Sequence, residues 1–416
     1  MQMWRMGLPV ATPIRVADFL TASAAFVMPG NQRSEFEREA REFLDVPFVR
    51  STNSGRSALF FVLQAMKRLS TRNEVVLPAY VCPSVGRAVV KAGLKPILCD
   101  VAISGSGLNM SCLEQVAGDR TLAIIAAHLY GYPTDIAPTC EIARSVGAMV
   151  VEDAAQSFSA RWQGRCVGTS ADAGIFSFGM SKTLWAMGGG LIASTIPKLG
   201  RQVDDVMASS QDAGHVRQAA AIAKLAMFGV LARCHHLGPL AVIWGSLLRG
   251  RDDLDDFAAS TMPSTNAAVA RALLKRVAEI TRLRALSASY FDIHLSDFDE
   301  LTIPEIHGGS DPVFLRYSII VKNLDIRRQL IDTLRRRGIN VSEMYSRRSY
   351  DGLCALAGCD PHYERTEYLC EHILNLPTHP YMRECDLAET VDAFESVLGR
   401  RRRCRTVCVP SGAGAG

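Results

Sequence analysis

The sequence lacks several patterns that would assign it to a function class at once. Its formal net charge is only +4 over 416 residues, so charge gives no reason to expect a nucleic-acid partner. No C-x-x-C pair occurs among the twelve cysteines, and the spacings Cys354/Cys359 and Cys404/Cys408 have no matching second half, so we expect no metal site. Scattered cysteines in a chain of this size favour a reducing compartment, and a cytoplasmic location is expected.

Long apolar runs are also missing. The most apolar segment, 219–248, is interrupted by Lys224, Arg233, two histidines and a proline, so it predicts no transmembrane segment. Two interpretations of this segment stay open: a helical pair packed on the core, or a surface in peripheral contact with a membrane or a partner. Cys234-His235-His236 predicts no metal site, because adjacent side chains on a helix diverge. Charged residues among the first 30 positions break any signal-peptide core.

Between about residue 53 and residue 194, short apolar segments alternate with amphipathic ones. The apolar segments are continuous, which is typical of strands buried on both faces of a parallel sheet. This pattern predicts an α/β domain whose mostly parallel sheet is covered by helices. The predicted strands are 75–78, 96–100, 122–127, 148–153 and 191–194, and the predicted helices between them are 83–93 and 135–146.

The C-terminal part has a different pattern, which predicts a smaller α+β domain. A single long amphipathic helix is expected over 266–295. It is followed by a predicted strand at 317–321, a helix at 326–337, a strand-like segment near Val341 and a last helix at 387–398. We divide the chain into an N-terminal arm (1–30), a large domain (31–258) with an apolar helical insertion at about 200–258, a small domain (259–400) and a disordered tail (401–416).

The first candidate for a ligand site is the segment Asn53-Ser54-Gly55-Arg56-Ser57, a turn of small residues that leads into a predicted helix. Free backbone N–H groups at such a helix start, with serine hydroxyls beside them, can bind a phosphate. An ordinary serine N-cap is the simpler interpretation of the same residues. The segment alone leaves both interpretations open.

The second candidate is Glu152-Asp153-Ala154-Ala155-Gln156, at the end of a predicted apolar strand. In open α/β sheets, ligands bind beyond the carboxyl ends of the strands. A carboxylate at the end of a hydrophobic strand, at that edge of the sheet, is partly shielded from water. Asp153 could equally cap the next turn. The segment alone therefore does not decide between a ligand site and a turn cap.

The third candidate is Lys182. Only eight of the 46 basic residues are lysines, and Lys182 is the one that lies between a strand pattern ending near Ser177 and the run Gly188-Gly189-Gly190. Arginine cannot replace lysine where the amine must lose its proton to attack a carbonyl. A solvated loop lysine is the alternative interpretation of the residue in isolation.

The three candidates together fit one kind of chemistry. A phosphate cradle, a carboxylate and an amine nucleophile are the protein groups that pyridoxal 5'-phosphate (PLP) requires. The cradle anchors the phosphate, the carboxylate keeps the pyridine nitrogen protonated, and the lysine forms a Schiff base. A hydrogen bond to a charged group contributes roughly 1.5 to 3 kcal/mol, which is enough to hold that proton in place.

On these residues the sequence resembles the DegT/DnrJ/EryC1/StrS family of sugar aminotransferases, from about residue 30 to residue 398. The resemblance implies the PLP-dependent transferase fold type I, with a mostly parallel seven-stranded-type sheet flanked by helices and a smaller C-terminal α+β domain. The segments that carry it are 53–59, 76–100, His128-Leu129-Tyr130-Gly131-Tyr132-Pro133, 151–156, 164–182, Gly188-Gly189-Gly190 and Leu374-Asn375-Leu376-Pro377-Thr378-His379-Pro380.

The resemblance implies a role for individual residues. Lys182 is expected to bond to the cofactor and then to move the proton, and Asp153 to pair with the pyridinium nitrogen. Gln156 is expected beside the cofactor's 3'-oxygen. The other residues that the resemblance places at the cofactor are Ser54, Gly55, Arg56, Tyr80, Cys82 and Ser177.

The resemblance also implies a reaction and an assembly. An amino donor, typically glutamate in this family, loads the cofactor, and a keto sugar attached to a nucleotide receives the nitrogen. Such enzymes serve polysaccharide or secondary-metabolite biosynthesis. Members are usually homodimers with active sites at the subunit interface.

The sequence departs from the family pattern at several positions, and these departures concern the acceptor more than the cofactor. Arg56 stands where threonine is usual, and Cys82 stands where an aromatic residue usually stacks on the ring. In the family, an asparagine reaches the phosphate of the cofactor in the partner subunit. Asn266 is the candidate for that asparagine in this sequence. The usual Tyr-Pro motif reads Tyr345-Ser346-Arg347, and Arg347 with Arg348 forms either a diphosphate site or a solvated pair.

Two alternatives to a sugar aminotransferase stay open at this point. One is a PLP enzyme with a different outcome, such as a dehydratase or a transaminase with a non-sugar acceptor. The related dehydratases have histidine at the Schiff-base position, so Lys182 argues against that outcome. The other is a regulatory or scaffold protein that kept the fold and lost turnover, and the intact Lys182, Asp153 and Gln156 argue against it.

Overall fold

A computed structural model describes residues 12–28, 30–102, 107–210, 215–233, 257–359 and 362–399. The predicted disordered tail, the Cys234-His235-His236 trio and most of the second half of the apolar segment 219–248 lie outside these residues. Within the part that is described, no helix is long and apolar enough to cross a membrane.

The strands, numbered along the described residues, are short. They are β1 Phe48–Thr52, β2 Glu74–Pro78, β3 Lys95–Cys99, β4 Thr121–Ala127, β5 Met149–Asp153, β6 Arg161–Trp162, β7 Arg165–Cys166, β8 Ala173–Ser177, β9 Gly190–Ser194, β10 Leu301–Thr302, β11 Ser310–Asp311, β12 Tyr317–Val321 and β13 Ile373–Leu376.

The helices, numbered in the same way, occur both between the strands and at the two ends of the described chain. They are α1 Val16–Val27, α2 Gln32–Leu44, α3 Gly55–Lys67, α4 Pro83–Lys91, α5 Met110–Val116, α6 Ala137–Val146, α7 Pro197–Met207, α8 His215–Arg233, α9 Ser264–Leu274, α10 Val277–Leu295, α11 Leu324–Arg336, α12 Arg347–Ala357, α13 Glu364–His372 and α14 Glu384–Leu398.

Seven strands form the central sheet, in the order β1-β9-β8-β5-β4-β2-β3. The five strands from β8 to β3 are mutually parallel, and β9 runs against both of its neighbours. Every residue of β2 and β4 is buried, as expected for apolar strands with helices on both faces. The predicted fold class, a mostly parallel seven-stranded sheet flanked by helices, is confirmed.

The register of the sheet brings three chain segments to one edge. Asp153, the last residue of β5, pairs with Ala127 of β4 on one side and Ile175 of β8 on the other. These strands are parallel, so the residues that follow each of them emerge side by side. The segments that begin at His128, Ala154 and Phe178 therefore share the carboxyl edge of the sheet.

The N-terminal arm that the sequence predicts over 1–30 contains helix α1. The inner face of α1 packs against α9, and the Arg276 guanidinium holds both carboxylate oxygens of Asp18 at 2.7 Å. The helix also shares a core with α2 and with β8 residues such as Phe176. The domain limits given above stay a prediction.

The smaller part is built on the antiparallel sheet β10-β12-β13, with α10, α11 and α14 packed around it. The prediction of one helix over 266–295 is wrong, because the chain forms α9 and α10 with a break at Lys275 and Arg276. The break lets α9 pack on α1 and α2, while α10 leaves that core after Ile280 and packs in the small core from Ala288 onward. The segment near Val341 contributes only an isolated bridge between Ser342 and Asn375, and no strand.

Candidate active site

A cavity of about 470 Å³ opens at the carboxyl edge of the sheet, where β4, β5 and β8 end. Its walls come from the start of α3, the turn after β2, the segments after β4 and β5, the loop between β8 and β9, and one residue of the segment before α12. The residues predicted from the sequence that line it are Ser54, Gly55, Arg56, Cys82, Asp153, Gln156, Ser177 and Lys182. The structure thus brings together eight of the nine predicted cofactor residues.

The start of α3 forms a compact polar turn. Ser54 is the N-cap, and its hydroxyl oxygen accepts a hydrogen bond from the backbone N–H of Ser57 at 3.2 Å. A Cβ placed on Gly55 would lie 2.9 Å from the Cβ of Ser177. Only glycine allows this approach, which places the Ser177 hydroxyl beside the free N–H groups of the helix start. The arrangement fits a phosphate.

Asp153 and Lys182 face the same cavity from β5 and from the loop after β8. Burial raises the pKa of Asp153, and the positive charge of Lys182 and a hydrogen bond from the Ala155 N–H oppose that shift. A buried carboxylate with a raised pKa is well matched to a second cation, because a nearby positive charge restores its ionised form. A protonated pyridine nitrogen would supply that charge.

Gln156 is fixed by two short hydrogen bonds and by a weak one from its Nε2 to the sulfur of Met344 at 3.9 Å. Its Oε1 accepts from the backbone N–H of Tyr130 at 2.7 Å, and its Nε2 donates to the hydroxyl of Tyr345 at 2.5 Å. Tyr345 comes from the segment before α12 and lines the cavity. Burial raises the pKa of Tyr345, so its hydroxyl keeps its proton. The side-chain amide of Gln156 therefore has a defined orientation toward the cavity.

Tyr80 is the one predicted site residue that does not line the cavity. Its side chain is fully buried behind Tyr345, with ring centroids 5.6 Å apart. Its hydroxyl lies 2.7 Å from that of Tyr130, donates to the carbonyl of Met344 at 2.6 Å and accepts from the N–H of Tyr345 at 2.8 Å. In this structure Tyr80 supports the Tyr345 segment.

The two side chains that depart from the family pattern have different surroundings. The Cys82 thiol lines the cavity and lies 3.0 Å from the hydroxyl of Ser84. The guanidinium of Arg56 lies over the ring of Phe257, 5.3 Å from its centroid. Cys82 thus faces the cavity, and Arg56 borders it while packing on an aromatic ring.

His128 is a cavity residue that the sequence reasoning did not assign to the site. Its Nδ1 accepts from the Thr134 N–H at 3.0 Å, so its Nε2 carries the proton that is donated to Glu152, also at 3.0 Å. Burial works to raise the pKa of Glu152, but hydrogen bonds from His128 and the backbone N–H groups of Gly168 and Ala171 outweigh it, and the pKa is lowered. The sequence feature that could have assigned His128 to the site is its position directly after β4, at the same sheet edge as Asp153.

The remaining candidates lie away from the cavity lining. Asn266 donates to the carbonyl of Gly188 at 3.2 Å within the same chain and accepts from the Thr265 hydroxyl. Arg347 forms ion pairs with Asp351 and Glu367, both at 3.2 Å, so its charge is already compensated. Neither side chain lines the cavity, but Asn266 contacts the lining residue Gly188.

The donor set fits PLP. The helix start with Gly55 and Ser177 provides an anion cradle, Asp153 provides a buried carboxylate, and Lys182 provides the amine at the same cavity. A mostly parallel seven-stranded sheet with these groups at its carboxyl edge defines a PLP-dependent enzyme of fold type I.

The chain belongs to the DegT/DnrJ/EryC1/StrS aminotransferase family, whose sequence model matches residues 14–395. It is therefore an aminotransferase that uses PLP, as the sequence predicted.

Two curated relatives name different sugars. The chain is 27% identical over 376 residues to a UDP-N-acetyl-3-dehydro-alpha-D-glucosamine 3-aminotransferase of Acidithiobacillus ferrooxidans, covering 90% of each chain. It is 32% identical over 165 residues to a GDP-perosamine synthase of Escherichia coli O157:H7, covering 40% of this chain and 45% of the relative. Among solved structures, the aminotransferase TlmJ from Streptoalloteichus hindustanus matches with a TM-score of 0.77 and 21% identity, over 95% of this chain and 99% of that one.

Proposed function

We propose that the chain transfers an amino group, with glutamate as donor, to a keto sugar attached to a nucleotide, for polysaccharide or secondary-metabolite biosynthesis. The observation that carries this proposal is the meeting of Lys182, Asp153 and the start of α3 at one cavity, in a chain of this family. The relatives that act on UDP- and GDP-linked sugars support the acceptor class. Because they differ in nucleotide and sugar, the proposal stays at the level of a nucleotide-linked keto sugar.

The cofactor, when bound, supplies an electron sink that stabilises negative charge on the carbon next to the nitrogen. Asp153 holds the proton on the ring nitrogen, and its own burial makes that charge pair favourable. Ser54, Gly55, Arg56 and Ser177 hold the phosphate. Lys182 would hold the cofactor through its side-chain amine, and its Nζ would also be the group that moves the proton during the transfer.

Gln156 and Cys82 complete the surroundings of the ring in this proposal. The Nε2 of Gln156 donates to the Tyr345 hydroxyl at 2.5 Å and otherwise makes only a weak contact with the Met344 sulfur at 3.9 Å, so in this proposal its second N–H turns to the 3'-oxygen. The Cys82 thiol faces the cavity and supplies a polarizable contact, with less area than an aromatic ring would give. Tyr80 acts behind Tyr345, as its hydrogen bonds to that segment indicate.

We also propose a homodimer in the cytoplasm. The nine cysteines within the described residues are all free thiols, which favours a reducing compartment. Asn266 is kept as the candidate for a contact across the dimer. Peripheral membrane contact through 219–248 stays a prediction, since most of its second half lies outside the described residues.

A two-step assay tests the proposal. The purified protein is mixed first with glutamate, and 2-oxoglutarate is measured; the loaded enzyme is then offered keto sugars linked to UDP, GDP and dTDP. The proposal predicts 2-oxoglutarate in proportion to enzyme, followed by an amino sugar from at least one acceptor. A chain that binds PLP and reacts with no donor would instead favour the regulatory or scaffold alternative.

A matched pair of variants assigns the activity to the site. Lys182→Ala should lower the rate by on the order of 10²- to 10⁴-fold or more, because the proton carrier is lost. Lys198→Ala, at an exposed position of α7, should leave the rate unchanged. Normal turnover in the Lys182 variant would remove that lysine from the mechanism.

A further inference from the structure

Within the described part of the chain, the hydroxyl proton of Tyr345 has no acceptor. The hydroxyl oxygen accepts a hydrogen bond from the Nε2 of Gln156 at 2.5 Å. The direction of this bond is fixed, because the Oε1 of Gln156 already accepts from the backbone N–H of Tyr130 at 2.7 Å and an amide nitrogen can only donate. The Tyr345 hydroxyl makes no other hydrogen bond with the described residues, so its own proton is available to a ligand.

The hydroxyl of Tyr345 keeps this proton at neutral pH. Burial raises the pKa of Tyr345 well above its ordinary value of 10.0, and the nearby acidic groups of Cys82, Tyr130 and Asp153 raise the pKa further. The hydrogen bond from Gln156 acts in the opposite direction and does not outweigh them. A buried O–H group without an acceptor costs free energy, which an anionic atom of a ligand would recover.

Tyr345 lines the same cavity as Asp153, Gln156 and Lys182. It reaches the cavity from the segment before α12, whereas the other three belong to the end of β5, the segment after β5 and the loop after β8. Its hydroxyl lies 2.5 Å from the amide nitrogen that is assigned to the 3'-oxygen of the cofactor. An O–H donor and an N–H donor that are this close to each other can serve the same ligand atom.

The Tyr345 segment is held in place by three other parts of the chain. The backbone N–H of Tyr345 donates to the hydroxyl of Tyr80 at 2.8 Å. The carbonyl of the preceding residue, Met344, accepts from the hydroxyl of Tyr80 at 2.6 Å and from the hydroxyl of Tyr130. The Nδ2 of Asn375 on β13 also donates to this carbonyl, at 3.4 Å. The donor is therefore fixed before a ligand arrives, which reduces the cost of binding.

We propose that Tyr345 donates its hydroxyl proton to the ionised 3'-oxygen of the cofactor, beside Gln156, an inference that rests on the proposed function of this cavity. A hydrogen bond to an ionised acceptor is stronger than one between neutral groups. Donors at this oxygen draw its negative charge toward themselves, and the nitrogen of Lys182 that is bonded to the cofactor then holds its proton less tightly. Tyr345 thus lowers the pH at which the bound cofactor loses that proton.

A pH titration of the absorption spectrum of the holoenzyme measures this effect apart from turnover. Tyr345→Phe keeps the ring and removes the donor. The midpoint of the titration should rise by about one to two pH units, as expected for the loss of a hydrogen bond to a charged group. The matched control is Tyr363→Phe, which removes a tyrosine hydroxyl that donates to the carbonyl of Leu98, away from the cavity lining. Its midpoint should equal that of the wild type.

A second background separates direct donation by Tyr345 from mere support of Gln156. If Tyr345 acted only by orienting the amide, Tyr345→Phe would not change the midpoint in a chain that already carries Gln156→Leu. The proposal predicts that Tyr345→Phe raises the midpoint in that chain as well. The absence of a further rise would overturn the proposal, as would an unchanged midpoint in the Tyr345→Phe single variant.

Equilibrium binding of PLP to the cofactor-free chains gives a second measurement. Tyr345→Phe should weaken this binding by on the order of tenfold, and Tyr363→Phe should not change it. An affinity of Tyr345→Phe equal to that of the wild type would contradict the proposed hydrogen bond. All variants keep the other titratable groups of the cavity, and circular dichroism checks that each of them is folded.

The failure of the proposed function has a different signature from the failure of this inference. If Tyr345→Phe shifts the midpoint while the wild-type chain forms no 2-oxoglutarate from glutamate, the role of Tyr345 stands and the aminotransferase proposal fails. If the wild type converts glutamate but the midpoints of the two chains agree, the transfer stands and the role of Tyr345 is wrong.

Discussion

At the scale of single residues, Asp153 is where stability and function conflict. Its pKa is raised by burial, so ionising it at neutral pH costs folding free energy in the cofactor-free chain. The cost is absent below the ordinary pKa of 3.8, and it is present in full once the pH exceeds the folded pKa. Binding of a cofactor with a protonated ring nitrogen would offset it.

We predict that Asp153→Asn lowers the transamination rate by on the order of a hundredfold, because a neutral amide cannot hold the ring nitrogen protonated. The variant should still bind PLP, and its cofactor-free form should be at least as stable as the wild type at neutral pH. Steady-state kinetics and thermal unfolding of both forms test this. Full activity would remove Asp153 from the mechanism, and a cofactor-free variant of much lower stability would contradict the assigned pKa direction.

Glu152, the neighbour of Asp153, has the opposite electrostatic character. Its pKa is lowered in the folded chain, so the ionised carboxylate stabilises the fold at neutral pH. This contribution is lost as the pH falls from the ordinary value of 4.5 through the folded pKa. We predict that Glu152→Gln costs roughly 3 kcal/mol at neutral pH, because donors from His128, Gly168, Ser170 and Ala171 lose their anion.

Denaturant unfolding between neutral and acidic pH measures this effect. The difference between wild type and Glu152→Gln should shrink as the pH falls. Glu141→Gln, at an exposed position of α6, should stay within about 0.5 kcal/mol of the wild type at every pH. If the difference in unfolding free energy between the wild type and Glu152→Gln did not depend on pH, packing and not charge would explain the lost stability.

Single residues were predictable from sequence where a local pattern carries the chemistry. Lys182 stands out by its rarity and its glycine context, and Asp153 by its place at a strand end. The support of Gln156 by Tyr130 and Tyr345 was not predictable, because Tyr345 is 189 positions away along the chain.

At the scale of elements, the approach of β9 to the start of α3 shapes the cradle. A Cβ on Gly190 would lie 2.4 Å from the carbonyl oxygen of Ser54, so only glycine fits there. We predict that Gly190→Ala displaces the start of α3 and weakens PLP binding by at least about tenfold, equivalent to roughly 1.4 kcal/mol. Equilibrium binding of PLP to the cofactor-free variant measures the change.

Gly118→Ala is the control for the Gly190→Ala variant, because a Cβ at position 118 meets no atom within 4 Å. It should bind PLP like the wild type. Equal PLP affinity in Gly190→Ala and the wild type would mean that the helix start does not hold the phosphate.

Some of the strands and helices could be predicted from the sequence pattern, and others could not. The predicted strands of the large sheet were found because both of their faces are buried, which leaves continuous apolar segments. β1 was missed, since Phe48–Thr52 is half polar and lies at the sheet edge beside β9. The break between α9 and α10 was missed because the apolar spacing continues across it, and because the start of α10 still packs in the core of α9 before the helix enters the small core.

At the scale of the whole molecule, segments that are far apart in the sequence meet at the cavity. Tyr345 reaches it from the segment before α12, and the Thr12 segment links Tyr381 to the loop after Lys182. The sequence predicted the central sheet and a smaller C-terminal part. It could not predict these links, because they depend on how distant segments pack.

The proposed homodimer is a prediction at the same scale. Sedimentation equilibrium should give twice the chain mass of 45.3 kDa, and the dimer should persist after removal of PLP. Mixing inactive Lys182→Ala chains with chains changed at Asn266 tests whether that asparagine acts across the interface. Recovery of activity in the mixture supports a shared site, and a monomer at assay concentration contradicts it.

The central claim is that Lys182 holds PLP at the carboxyl edge of the sheet. Borohydride reduction of the purified protein, followed by proteolysis and mass spectrometry, tests it most directly. The account predicts a reduced cofactor adduct on the peptide that contains Lys182, and its loss when glutamate is added before the reduction. An adduct on another lysine, or none after incubation with PLP, would contradict it.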